Sequence, residues 1–127
     1  MKSFKEYADG TMGININDKH EPWTELILTG QKTIETRNSN SLKRYIGKRI
    51  GIIRTGKGIA TLVGYATLGW PKIYRTAEEF RADEDKHRVR LGTQFDFQNI
   101  KYGYPITKVE RTKPRPITSW GMVARKI

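Results

Sequence analysis

The feature that most constrains this chain is an abrupt change of sequence pattern at Gly30. The preceding segment, residues 22–29, spaces apolar and polar residues as a short amphipathic helix does. Pro22 suits a first helical position, where its missing N–H needs no partner, and Gly30 suits the left-handed residue that ends a helix. Beyond Gly30 the residues favour an extended chain over about 33–37. The pattern therefore predicts a helix-to-strand junction.

Three ionisable side chains gather at this junction. Successive strand residues point to opposite faces, so Glu35 and Arg37 share one face, and Lys32 stands where the strand begins. The plainest interpretation is that Glu35 and Arg37 form an exposed ion pair worth less than about 1 kcal/mol. The alternative is a polar cleft in which Arg37 binds a phosphate or holds Glu35, and Lys32 supplies a charge or carries a proton. In that cleft Glu35 would accept a hydrogen bond from a base or act as a general base.

Two local patterns carry a family resemblance. They are a G-x-K-x-x-E-x-R motif and a Pro-Trp pair that opens the helix before it, met here by Gly30, Lys32, Glu35, Arg37, Pro22 and Trp23. Over about residues 19–37 the chain resembles the ASCH domains (activating-signal-cointegrator homology) of the PUA-like superfamily. This resemblance implies a PUA-like β-barrel with a cleft beside it, proposed in the family to bind RNA. Some members resemble amidohydrolases that act on modified nucleosides.

The remaining elements fit one small domain spanning 1–127. Residues 1–10 are expected to form a loose or helical lead-in, and residues 42–47 one helical turn. Further strands are expected at about 12–16, 48–54, 59–68, 104–111 and 121–126. A hairpin turn at 55–58 should pair the second and third of these antiparallel, and a loop at 112–116 should join the last two. The expected fold class is α+β, a PUA-like small β-barrel with two or three flanking helices.

A second helix is predicted with defined ends. Thr76 and Glu79 have the spacing of a capping box, and Gly92 follows a segment that continues to about Arg90. Acidic residues lie near the start of this segment and basic residues near its end, as the helix dipole favours. The sequence therefore predicts one helix over 76–90.

The charge distribution favours a polyanionic partner. The net charge is +11, and no acidic residue occurs between Thr36 and Ala77. Nine basic residues lie in that stretch: Arg37, Lys43, Arg44, Lys48, Arg49, Arg54, Lys57, Lys72 and Arg75. Such asymmetry is typical of proteins that bind nucleic acid or nucleotides, although a high net charge also serves solubility alone. RNA or a nucleoside-like ligand is the expected partner.

Several classes of protein are disfavoured because the sequence lacks the residues or segments that they require. The 127 residues contain no cysteine, and the two histidines, His20 and His87, are isolated. No disulfide, thiolate nucleophile, metal site or cofactor is therefore expected. The apolar runs are short and the N-terminus has no hydrophobic signal region, so neither secretion nor a membrane partner is expected. The predicted location is the cytoplasm.

Aromatic residues and one histidine are further ligand-binding candidates. Trp23 precedes the motif, and Tyr45 and Tyr104 are expected in loops with basic neighbours, where they could stack on bases. Large aromatic residues of a small barrel more often belong to the core, which is the expectation for Trp120. His87 is interpreted either as a solvated side chain or as a proton carrier at the cleft.

Two functions compete with ligand binding. The first is catalysis by Lys32 and Glu35, in a ribonuclease or in an amidohydrolase of N4-acylated cytidine. The amidohydrolases of the family carry a threonine three residues after the lysine and a glutamate on a later helix, whereas this chain has Glu35 at the threonine position. The second is a protein-interaction module of transcriptional complexes that docks through the acidic helix.

Overall fold

A computed structural model of the chain describes residues 10–127, so the lead-in expected at 1–10 falls almost entirely outside the described part. These residues form seven strands, three short α-helices and one 3-10 turn. In chain order they are β1 (Met12–Asn17), α1 (Trp23–Leu28), β2 (Ile34–Arg37), the 3-10 turn (Lys43–Tyr45), β3 (Arg49–Thr55), β4 (Thr61–Leu68), β5 (Lys72–Tyr74), α2 (Ala77–Ala82), α3 (Glu84–His87), β6 (Lys101–Pro116) and β7 (Ala124–Lys126).

All seven strands join one mixed sheet that curls into a half-barrel. The order is β2-β6-β4-β3-β1-β7, and β5 also pairs with β6. The β1–β3 pair is parallel, and the other pairs are antiparallel. Lys108 has a φ of 51°, where the register between β4 and β6 shifts. Such bulges bend a strand and increase its twist, and the long β6 pairs with β2 and β5 through its first residues and with β4 beyond them. The fold is therefore an α+β PUA-like small barrel.

Strand β6 extends further than its sequence indicates. Residues 112–116, expected to be a loop, continue the strand, and Thr61 pairs with Pro116. A proline cannot donate to a strand ladder, so it is tolerated where one side of a strand has no partner. The far half of β6 pairs with β4 on one side only, because β2 pairs only with the first residues of β6. The antiparallel β3–β4 hairpin is confirmed, with Gly56 in its turn at a φ of 81°.

The predicted helix over 76–90 is two helices. Its capping box is confirmed, because the Thr76 hydroxyl accepts from the Glu79 N–H at 3.1 Å. The helix stops at Asp83, whose carboxylate accepts from the Tyr74 hydroxyl at 2.7 Å and from Lys72 at 2.9 Å. These bonds hold Asp83 against β5, and α3 restarts beyond it. Arg88, at a φ of 65°, ends α3 before Gly92 is reached.

The main core lies where the sheet packs against the helices. Its largest fully buried side chains include Tyr74, Phe80 and Tyr104. The expectation that Trp120 belongs to this core is wrong, because 82% of Trp120 is exposed, and Trp70 is also on the surface. Within residues 10–127, no helix is long and apolar enough to span a bilayer.

Candidate functional site

Helix α1 is oriented by a carboxylate rather than by its proline. The buried Asp18 accepts from the Thr24 N–H at 3.1 Å and also from the Thr24 hydroxyl. Pro22, expected at the first helical position, instead stands at the N-cap, the helix begins at Trp23, and proline has no side-chain acceptor to offer. Asp18 thus satisfies a free N–H of the first turn, as capping residues do. This contact sets where Trp23 enters the site.

The junction after α1 directs the motif into strand β2. Gly30 has a φ of 80°, which confirms the left-handed residue expected there. The Lys32 N–H then donates to the Leu26 carbonyl at 2.9 Å. Strand β2 pairs antiparallel with β6, with Glu35 opposite Tyr104. The motif is therefore held by the helix on one side and by the longest strand on the other.

A cleft of about 390 Å³ lies beside this junction. Its lining combines the motif residues, the end of β1 and the segment before β7, and comprises Asn15, Ile16, Asn17, Trp23, Lys32, Glu35, Thr36, Arg37, Thr55, Val89, Phe95, Gly121, Met122 and Arg125. This volume is within the range typical of small-molecule sites. The structure thus brings Trp23 and all three motif charges to one cleft.

Lys32 is the buried member of the motif. Only 2% of its side chain is exposed, and its ammonium donates to the His87 carbonyl at 2.7 Å. The Glu35 carboxylate is 3.6 Å from the same nitrogen, and the Trp23 ring centre is 4.7 Å away. Burial lowers the pKa of Lys32 below its ordinary value, and Glu35 acts in the opposite direction. Lys32 is therefore a buried ammonium in contact with a carbonyl, a carboxylate and an aromatic ring.

Glu35 and Arg37 form the more accessible part of the motif. The Arg37 Nε donates to Glu35 at 2.9 Å, and 20% of Arg37 and 11% of Glu35 side-chain surface remain exposed. The Arg37 Nη2 also donates to the Asn15 carbonyl at 2.9 Å. The guanidinium is therefore fixed on two sides. Its remaining donors and the carboxylate are the polar groups that a ligand in the cleft would meet first.

An aromatic corner forms the apolar wall of the cleft. Trp23 and Phe95 meet edge to face, with ring centres 6.0 Å apart. Phe95 lies in the loop before β6, and Asp96 holds this loop in place. The Asp96 carboxylate accepts from Arg81 at 2.9 Å, from the Gly92 N–H at 2.9 Å and from the Phe97 N–H at 2.8 Å. These bonds lower the pKa of Asp96 to about 2, with Arg81 the largest cause.

Asp96→Asn should loosen this corner. The amide keeps the volume but loses the charge, and hydrogen bonds to a charged group contribute about 1.5–3 kcal/mol. We expect a lower free energy of unfolding at neutral pH in urea denaturation. Because the folded-state pKa lies below the unfolded value, the carboxylate's contribution is full above pH 4 and is lost as the pH falls toward 2. An unchanged stability of Asp96→Asn at neutral pH would contradict the assignment.

The two tyrosines are not placed as expected. Tyr104 lies within β6, not in a loop, and is fully buried. Tyr45 ends the 3-10 turn and is 6% exposed, although its neighbours Lys43 and Arg44 are on the surface. Neither tyrosine borders the cleft. Both side chains belong to the core, because the 3-10 turn and β6 each bury one of their faces against it. The basic neighbours Lys43 and Arg44 lie on the exposed side of the turn, in water.

His87 is neither solvated nor at the cleft surface. It is fully buried and stacks on Phe80, with ring centres 4.1 Å apart. Its Nδ1 accepts from the Val89 N–H at 3.0 Å, so Nε2 carries the proton and donates to the Phe80 carbonyl at 2.6 Å. The ring has no nitrogen left for a ligand. The link between His87 and the site is its backbone carbonyl, which accepts from Lys32.

Several cleft residues were missed from the sequence. Asn15 and Asn17 alternate with isoleucines along β1, a pattern that marks one polar face, and this signal could have been used. Phe95 and Arg125 come from distant parts of the chain, where no local pattern distinguishes them. Among residues 10–127, no cluster of three or more histidine and carboxylate side chains could hold a metal ion.

The groups expected of an amidohydrolase are only partly present. Thr36 borders the cleft, but Thr33 does not. Glu84 and Asp85 border a different depression, with Arg88 and Arg90. The lining of this cleft contains one carboxylate, Glu35, and one ammonium, Lys32, and no carboxylate from α2 or α3.

Comparison with known proteins supports the barrel fold and indicates which kind of barrel it is. No protein-family model matches the chain, and no curated protein matches it significantly. Among solved structures, ASCH from Zymomonas mobilis superposes with a TM-score of 0.72 at 13% identity, covering 91% of this chain and 86% of that one. A serine-to-alanine mutant of the same protein gives 0.72 at 13%, covering 91% and 87%. A tyrosine-to-phenylalanine mutant gives 0.65 at 15%, covering 84% and 75%.

These likenesses show the fold of the chain. The curled mixed sheet with its flanking helices is the α+β barrel of PUA-like proteins. Within that class, the chain has the ASCH fold. The resemblance seen in the short motif around Lys32 is thus supported by the fold of nearly the whole chain.

Proposed function

We propose that the chain binds single-stranded RNA or a nucleoside-like ligand in the cleft beside Lys32. The observation that carries this proposal is the convergence of Lys32, Glu35, Arg37 and Trp23 on one cleft of about 390 Å³. The polar groups lie beside an aromatic corner, which is the combination that a nucleoside requires. A base presents hydrogen-bonding edges together with apolar faces.

The geometry supports separate roles for the motif residues. Arg37 is fixed by Glu35 and by the Asn15 carbonyl, which leaves other guanidinium donors for a phosphate or a ribose hydroxyl. Glu35 accepts from an exocyclic amine of the base. Lys32 lies behind both and is too buried to reach a large ligand, so it balances the charge of Glu35. Trp23 and Phe95 contribute the apolar wall.

The overall charge and the fold are consistent with this proposal. A net charge of +11 attracts polyanions at long range, and Arg125 adds a second guanidinium to the cleft. The ASCH fold is the one that the motif resemblance associates with an RNA-binding cleft. The competing idea of a docking helix is weakened, because the acidic segment is divided between α2 and α3.

A hydrolase is the second candidate, because of one specific contact. The buried ammonium of Lys32 lies 3.6 Å from the Glu35 carboxylate, and burial lowers its pKa. Such a pair is suited to carry a proton during hydrolysis of an N4-acylated cytidine or of RNA. Turnover of either substrate, measured by product release, would favour this candidate over binding alone.

The binding proposal is tested by fluorescence anisotropy with a labelled single-stranded RNA. If about four phosphates are neutralised, the logarithm of the affinity should fall with the logarithm of salt concentration with a slope near roughly −3. Arg37→Gln should weaken binding by about 10-fold or more, because it removes a charge-assisted contact. Lys43→Gln removes the same charge from an exposed turn outside the cleft and is the matched control.

Two results would contradict the proposal. One is the absence of RNA and nucleoside binding at low salt. The other is an equal loss of affinity in Arg37→Gln and Lys43→Gln, which would show that only total charge matters and not the cleft.

A further inference from the structure

The segment 119–123, here called the rim segment, lies beside the cleft and exposes two large apolar side chains. Trp120 and Met122 are each 82% exposed. Gly121 and Met122 border the cleft directly, as does Arg125 just beyond them. Neighbouring exposed apolar groups that form a patch beside a cleft can mark a binding surface. Trp120 itself is not part of the cleft lining.

The rim segment is held in place by the strand that lines the cleft. The Asn15 side-chain amide donates to the carbonyls of Gly121 and Met122 at 2.8 and 2.9 Å. The backbone N–H of Asn15 donates to the Val123 carbonyl at 2.9 Å. Arg125 donates to the Asn15 side-chain oxygen and to the Ser119 carbonyl, both at 3.0 Å. These contacts fix the backbone on both sides of Trp120.

Gly121 shows how closely the chain is folded here. A Cβ atom at this position would lie 1.9 Å from the Ala124 carbonyl oxygen, so only glycine fits. The backbone next to Trp120 is therefore closely constrained, and the indole of Trp120 extends from it with 82% of the residue exposed. An exposed indole offers a large flat apolar face on which a base can stack.

Asn15 also connects the rim segment to the motif. Its carbonyl accepts from Arg37 at 2.9 Å, while its side chain holds the rim segment and Arg125. The C-terminal segment from Arg111 carries only basic charges, because no acidic residue occurs there. An exposed indole on a basic segment suits a nucleobase attached to a phosphate chain better than it suits an apolar protein surface.

We propose that Trp120 stacks on the nucleobase adjacent to the one held in the cleft, so that the site reads at least two consecutive nucleotides of single-stranded RNA. This inference rests on the proposed function of the cleft. It makes Trp120 a binding residue for the flanking nucleotide and Asn15 a positioning residue. Arg125, at the border of the two, faces the connecting phosphate.

The test compares a mononucleoside with a short RNA. We expect Trp120→Ala to weaken binding of a single-stranded tetranucleotide by about 10-fold, the effect of losing one stacked base. Binding of cytidine should not change, and Trp120→Phe should restore most of the affinity. Trp70→Ala, at an exposed tryptophan outside the cleft lining, is the matched control and should bind both ligands as the parent does.

Asn15→Asp tests the positioning role. The variant keeps the side-chain size and an acceptor for Arg125 but loses the donor to Gly121 and Met122. We expect faster amide hydrogen exchange in 119–123, together with weaker tetranucleotide binding. Slow exchange and parental affinity in this variant would overturn that role.

The outcomes separate the two proposals. If the parent binds neither cytidine nor the tetranucleotide, the proposed function of the cleft fails, and this inference fails with it. If the parent binds both and Trp120→Ala binds both equally well, the inference alone is overturned. The inference is likewise overturned if Trp120→Ala leaves RNA affinity unchanged but abolishes self-association in sedimentation, since the rim segment would then be a contact between copies.

Discussion

Glu35→Gln is expected to lower the free energy of unfolding by about 3 kcal/mol, the cost of removing one partner from a buried ion pair. The substitution keeps the volume of the side chain but removes its charge. Lys32, with 2% of its side chain exposed, and Arg37 would then share the site without a counterion. Urea denaturation at neutral pH, with the Glu35→Gln variant and the parent compared in the same buffer, measures the difference in the free energy of unfolding.

Lys32→Met provides the second arm of this experiment. Methionine fills the same buried space without a charge, so Glu35 keeps only Arg37 as its partner. In the Lys32→Met background, Glu35→Gln should cost much less than it does alone, because no buried ammonium is left uncompensated. Coupling between contacting residues is typically about 0.5–3 kcal/mol. Additive losses would show that Lys32 and Glu35 do not interact.

Glu110→Gln is the matched control. Glu110 also pairs with an arginine, Arg49 at 3.1 Å, but 63% of its side chain is exposed. Its loss should change the melting temperature far less, since water and salt screen exposed pairs. If Glu35→Gln were as mild as Glu110→Gln, the motif would be an ordinary surface pair, and the buried network described here would be wrong.

His87→Gln is expected to lower the free energy of unfolding at neutral pH by about 2–4 kcal/mol. It should also remove the decline of the parent's stability as the pH falls below about 6.5. The loss combines the stack on Phe80 with two buried hydrogen bonds, to Val89 and to the Phe80 carbonyl. Thermal and urea denaturation of the variant and its parent across pH 5–8 measure both effects.

The direction of the acid effect follows from the folded geometry. Burial lowers the pKa of His87, and the Lys32 ammonium nearby adds to this. The imidazolium would also place a second N–H against the Val89 N–H. The unfolded histidine titrates near 6.5. The contribution of the neutral ring is therefore full above about pH 6.5 and declines below it, by at most about 1.4 kcal/mol per pH unit for one proton.

His20→Gln is the control for this prediction. His20 is the other histidine of the chain and lies on the surface. Its variant should keep the parent's decline of stability between pH 6.5 and 5, whereas His87→Gln should flatten it. A parental pH dependence in His87→Gln would contradict the assignment of the buried neutral ring.

Local signals predicted the parts of the fold that depend on local physics. Gly30, the capping box at Thr76 and the β3–β4 hairpin follow from backbone preferences that act within a few residues. The meeting of Lys32, Glu35 and Arg37 also follows from strand periodicity and adjacency in sequence. These features could be predicted because tertiary contacts reinforce the local preference in each case.

The rest of the site depends on contacts between distant segments. Phe95 and Arg125 reach the cleft through the Asp96 loop and the return of β7 to β1, and neither arrangement has a local signal. Burial was also misjudged where it depends on the sheet. Tyr104 is buried because it lies on β6 where that strand pairs with β2. Trp120 is exposed because it lies in a tight turn that projects its side chain outward.

The central claim is that the cleft beside Lys32 is the ligand site, and NMR titration of a single-stranded tetranucleotide into ¹⁵N-labelled protein tests it most directly. The indole N–H of Trp23 and the Nε–H of Arg37 should shift together along one saturating curve, while the indole of Trp70, outside the cleft, stays in place. Saturable binding that shifts neither Trp23 nor Arg37 would show that the ligand lies elsewhere and would contradict the claim.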